Sequence, residues 1–145
     1  CIDRKCEIGI PPIDGESTSG LNSNRIWEAV KDFVKRKYPM GCTYYEEKTK
    51  LPREGLIHYH CYSLLDAREI KDGQGKVLKL VKLRNPHGAS EWTGHWGDTS
   101  DMWTKFPQVA RELGYVKRND GAFWMPWSSF ASYFDAVSVL KQCLQ

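Results

Sequence analysis

The stretch that decides the fold is "LIHYHCYSLLDAREI", Leu56–Ile70, with its return "VLKLVKLRN", Val77–Asn85. Both runs are rich in β-branched, aromatic and aliphatic residues, as strands are. Between them lies "KDGQGK", Lys71–Lys76, whose two glycines supply the backbone freedom a tight connection needs. The pair therefore reads as a long antiparallel hairpin. With a period of two, His58, His60, Tyr62 and Leu64 share one face of the first strand, and Tyr59, Cys61 and Ser63 share the other. Asn85 lies ten residues after Gly75, and His60 lies twelve before Asp72. These similar reaches bring a histidine and an asparagine toward the same end of the sheet.

An imidazole whose ring N–H is accepted by a neutral carboxamide is a known chemical device. The amide fixes the ring, and the other ring nitrogen is left to exchange a proton with a thiol. A packed, hydrogen-bonded strand histidine fits the same pattern, so spacing alone leaves both readings open.

Outward from the hairpin, the chain reads as one domain. "NSNRIWEAVKDFVKRKYP" places Ile26, Trp27, Val30, Phe33 and Val34 on one helical face. Asn22 or Ser23 can cap that helix, and Pro39 ends it. "MGCTYYEE" reads as a short strand and "KTKLPREG" as a polar loop. "NPHGASEWTGHWGDTSD" is an aromatic-rich loop. "FPQVARELG" is a short helix stopped by Gly114. "NDGAFWMPW" is a turn leading into a strand. "SSFASYF" is one or two helical turns capped by Ser128 or Ser129, and "DAVSVLKQCL" is a closing strand. Residues 1–22 contain "IPPIDGESTSG" and read as an extended arm or linker, with the domain proper over 23–145. No alternation of strand and long helix appears. The expected fold is α+β: a twisted antiparallel sheet, partly barrel-like, with one N-terminal amphipathic helix and short peripheral helices.

Composition narrows the function. The 145 residues carry a net charge of +3, and "KRK" at Lys35–Lys37 reads as the solvated end of the helix. No basic stripe supports a nucleic-acid partner. No apolar run reaches transmembrane length. Five cysteines, an odd number without a CxxC pair, argue against a disulfide framework and for a reducing, cytoplasmic setting. The chain opens at Cys1, which suggests a piece of a longer protein. Six tryptophans are many for this length. They suit either a packed core or an exposed row that binds a carbohydrate or other polymer.

Four segments occur in a telling order: "HCYSLLDAREI", "KLVKLRNPHG", "EWTGHWGDTSDMW" and "DGAFWMPWSSFASYF". Together they resemble the second half of the calpain cysteine-protease core, with its "GHAYSV" strand, "RNPWG" turn, "EWTGxWxD" loop and "DGxFWM" strand. "PMGCTYY" is similar to the "LGCSI" strand that precedes these. The resemblance runs from about Arg25 to the C-terminus. It implies a papain-like second lobe in which His60 exchanges the proton and Asn85 orients it. His58 has no counterpart and is taken as structural, and Trp92 and Trp96 would pack under or beside the site. The resemblance also implies a calcium ion held by Glu91, Asp98 and Asp120, with the backbone carbonyl of Arg118. Hard oxygen donors are what calcium takes.

Three positions depart from the family pattern. Tyr59 replaces the glycine before the histidine, and His87 replaces the tryptophan of "RNPWG". Ala122 stands where the last calcium carboxylate belongs, which implies weaker binding. The family's "GDCW" nucleophile motif is not in this sequence. Cys42 and Cys61 sit on strands, whereas a reactive thiolate wants a helix N-terminus or a nearby cation. The chain is therefore expected to be inactive alone. An upstream Cys-bearing half would be its partner, and the two together would act as a calcium-dependent endopeptidase on protein substrates. The other reading is a non-catalytic calpain-like module that binds peptide or a regulatory partner.

Overall fold

The structure is a computed structural model that describes residues 4–9, 17–44, 54–57, 60–86, 91–118, 120–134 and 136–141, with side chains within 24–139. Among these described residues there are six strands: β1 (Arg4–Gly9), β2 (Met40–Tyr44), β3 (His60–Lys71), β4 (Val77–Arg84), β5 (Ala122–Pro126) and β6 (Ala136–Lys141). Four helices accompany them: α1 (Ser17–Lys35), α2 (Met102–Lys105), α3 (Pro107–Leu113) and α4 (Trp127–Tyr133). The strands form one antiparallel sheet in the order β1-β6-β2-β3-β4-β5. This is the expected α+β class. The partial barrel is not borne out, because the order leaves the sheet open with β1 and β5 as its two edges.

The central hairpin forms as its sequence dictates. At its turn, Asp72 Oδ1 accepts the backbone N–H of Gln74 at 2.7 Å and of Lys76 at 3.2 Å. Gly73 and Gly75 take the left-handed φ values of 88° and 90° that the reversal requires. A register shift between Leu64 and Asp66 interrupts the β3–β4 ladder. Such a bulge reverses which face each later residue meets. Tyr62 and Leu64 point into the larger core before it, and Ala67 does so after it, while Ile70 joins a second cluster.

Alternation along β4 and β5 places these clusters on opposite faces of the sheet. Val81, Leu83, Phe123 and Met125 face the larger core with α1 and α4; Leu80 and Trp124 face the smaller one with Trp96, Trp103 and Val109. All six tryptophans are buried. Among the described residues, the tryptophans form no exposed row of the kind that binds a polymer.

Helix α1 buries Ile26, Trp27, Val30 and Phe33, as its periodicity requires. It starts at Ser17, ahead of the expected Ser23, and Gly20, Asn22 and Ser23, all weak helix formers, stay within the helix. It ends with the amides of Lys37 and Tyr38 bonded back to the carbonyls of Val34 and Phe33, Lys37 taking φ 61°. That is a Schellman closure built without glycine. Gly114 closes α3 in the left-handed conformation, as expected. Helix α4 begins at Trp127, so Ser128 and Ser129 lie inside it and neither caps it. Part of the segment read as an arm, Arg4–Gly9, is the edge strand β1 paired along the whole of β6. Among the described residues, no helix is long and apolar enough to cross a membrane.

Candidate active site

His60 is the first residue of β3, paired with Tyr44 of β2. Asn85 follows the last residue of β4. The hairpin thus brings together two residues 25 apart, and His60 Nε2 lies 2.9 Å from Asn85 Oδ1. The amide oxygen can only accept, so Nε2 carries the hydrogen and Nδ1 is the ring's basic nitrogen. A second contact fixes the ring. Tyr62, two residues on and on the same strand face, meets it edge-on with centroids 4.9 Å apart. Tyr62 is itself held, since its hydroxyl accepts the Ile57 N–H at 2.9 Å. The period-two pattern put Tyr62 on this face but gave no sign of its supporting role.

Asn85 is fully buried. A buried amide is tolerated only when its polar atoms are satisfied. Its side-chain oxygen serves His60, and its backbone N–H donates to Gly121 O at 3.0 Å. Gly121 immediately precedes β5, which lies beside β4 with Ala122 opposite Arg84.

The acidic residues gather around the same turn. Gly121 N–H donates to Glu91 Oε1 at 3.1 Å, and Tyr115 Oη–H donates to Asp98 Oδ1 at 3.0 Å. Burial pushes the Glu91 carboxyl up to about 7, and a hydrogen bond and like charge from Asp98 push it the same way. A like charge nearby disfavours the ionised form. Burial, then the bond to Asp98, also raises the Tyr115 phenol. Asp120 Oδ1 accepts the Ala122 N–H at 3.0 Å and tightens the turn. Asp98, Arg118, Asp120 and Ala122 line a cavity of about 180 Å³, with Lys82 also on its wall.

Glu91, Asp98 and Asp120 are hard oxygen donors, each held by a hydrogen bond of its own. As they stand, however, the described residues gather no group of three metal-ligating side chains.

The cysteines with described side chains are Cys42 and Cys61. Cys42 is buried, its thiol bonded to the Tyr62 carbonyl at 3.6 Å and pushed well up by burial. Cys61 is exposed on the strand face opposite His60. Neither is placed to serve the imidazole as nucleophile. Trp92 packs on Tyr133 in the larger core and Trp96 on Trp103 in the smaller. Both are core aromatics. His58, Tyr59 and His87 lie outside the described residues.

The model of the family described as calpain family cysteine protease matches residues 13–141. Calpain-12 of Homo sapiens is 34% identical over 119 residues, covering 81% of this chain and 16% of the relative. Calpain-5 of Mus musculus is 39% identical over 91 residues, covering 57% of this chain and 14% of the relative. The calpain-1 catalytic subunit of Homo sapiens is 36% identical over 84 residues, 58% of this chain and 12% of the relative. The chain thus spans less than a fifth of the length of these relatives. With the family model matching most of its length, the chain belongs to the calpain family of cysteine proteases.

Proposed function

We propose that this chain supplies the imidazole and the orienting carboxamide of a thiol endopeptidase whose nucleophilic cysteine comes from the Cys-bearing half of a calpain core. The observation that carries this reading is the 2.9 Å contact between His60 Nε2 and Asn85 Oδ1. With Nε2–H given to Asn85, Nδ1 takes the thiol proton. The thiolate then attacks the peptide carbonyl carbon, and the carbonyl π pair moves onto oxygen. As the tetrahedral intermediate collapses, the C–N bond breaks and the imidazolium returns its proton to the leaving amine. Water, deprotonated by the same Nδ1, cleaves the acyl-enzyme and restores the thiol. A neutral amide behind the ring stabilises the thiolate–imidazolium pair without adding a third charge.

Calcium is the cofactor this reading adds. Glu91, Asp98, Asp120 and the Arg118 carbonyl would hold it, and the ion would supply positive charge that joins the two loops bearing them. Its affinity is weakened by the missing carboxylate at Ala122.

The test is peptide hydrolysis by this chain assembled with a Cys-bearing calpain half. Turnover that needs both parts and is lost in His60→Ala supports the reading. Turnover that survives this substitution rejects it.

A further inference from the structure

Three hydrogen bonds run in series from the acidic corner to the imidazole. Glu91 Oε1 accepts from Gly121 N at 3.1 Å, Gly121 O accepts from Asn85 N at 3.0 Å, and Asn85 Oδ1 meets His60 Nε2 at 2.9 Å. We propose that Gly121 is a positioning residue whose two flanking peptide groups couple the Glu91 carboxylate to the orientation of the Asn85 amide, and through it to the His60 ring. This deepens the acid–base reading above and rests on it.

The backbone chemistry of each link favours transmission. Gly121 is buried with φ 81°, a conformation that side-chain-bearing residues adopt with strain. It sends its N–H toward Glu91 and its carbonyl toward Asn85 at the end of β4. Asp120 braces the turn by accepting the Ala122 N–H. Asn85 precedes Pro86, which restricts its backbone to the extended region. Holding the Asn85 N–H therefore fixes the root of a short side chain with little freedom left. Asn85 is fully buried, so water has no ready route to replace the lost partner if Gly121 shifts. At the far end, Tyr115 anchors Asp98. Glu91 is thus wired to the orienting amide through one glycine.

Gly121→Ala is the obvious variant, but its strain threatens the fold. The test instead uses Glu91→Ala and Glu91→Gln in this chain, in metal-free buffer, followed by NMR. The Gln amide oxygen still accepts from Gly121, and the Ala side chain cannot. In Glu91→Ala, the Asn85 amide should exchange with solvent about tenfold faster, with the Phe134 amide at the end of α4 unchanged. The His60 ring should lose its single Nε2–H tautomer. Glu91→Gln should restore both signals. The coupling is overturned if Glu91→Ala leaves Asn85 and His60 untouched, if Gln rescues no better than Ala, or if Phe134 accelerates equally. Asn85→Ala separates the two ideas. If the His60 tautomer ignores that change, the acid–base reading itself falls. If it responds while Glu91→Ala does not reach Asn85, only the coupling falls.

Discussion

His60 and Asn85 meet at 2.9 Å because β3 begins, and β4 ends, at the same end of the sheet. The bond selects a ring tautomer as well as an orientation, and Tyr62 restrains the ring from a second direction. In the assembled protease, Asn85→Ala should lower kcat by roughly 10- to 100-fold, with KM little changed, as expected when a transition-state arrangement and not binding is lost. Steady-state kinetics on a fluorogenic peptide checks this. A KM effect with normal kcat would place Asn85 in substrate binding instead.

The Glu91 carboxyl gives a pH dependence whose sign is fixed. Its folded-state value of about 7 lies above the ordinary 4.5, so the folded state binds the extra proton. That contribution favours folding at low pH and is lost as pH rises from about 4.5 through about 7. In metal-free buffer, wild type should lose stability over this window relative to Glu91→Gln, which has no proton to release there. Thermal melts of both proteins across the window measure the difference. Parallel curves would contradict it.

Calcium should bind weakly, on the order of 10⁻⁴ M or above, given the short supply of charged ligands. Asp98→Ala should abolish binding, and Ala122→Glu should tighten it. Titration calorimetry reads all three. Sub-micromolar affinity, or binding indifferent to Asp98, would reject the ligand assignment.

Tyr62→Phe removes the acceptor of the Ile57 N–H while keeping the ring against His60. The stranded donor should cost about 1–3 kcal/mol in chemical denaturation. Peptide turnover in the assembled protease should fall less than in Asn85→Ala, because the ring contact survives.

Much of the architecture is local and therefore readable. The β3–β4 hairpin announces itself through alternation and an Asp-Gly turn, and α1 through its 3.6-residue period. What escaped depends on distant partners. Strand β1, "RKCEIG", has no marked alternation and exists by pairing with β6, some 130 residues later. Insertion of β6 between β1 and β2 keeps the sheet open, which no local pattern encodes. The bulge at Leu64/Asp66 splits the core between two faces and is likewise set by register. At the site, His60 and Asn85 were legible because a hairpin joins them. The acids came from family resemblance, and spacing alone says nothing of their roles. Their pairing, and Gly121 as the junction, required the folded loops.

The central claim is that His60 is the base of a shared thiol centre. Its most direct test is alkylation of the catalytic thiol by iodoacetamide in the assembled core, against pH, in wild type and His60→Ala. The account predicts that wild type retains fast alkylation well below the ordinary thiol range near 8.5, and that His60→Ala shifts the profile up toward it. Identical profiles for the two proteins would mean that His60 does not activate the thiol.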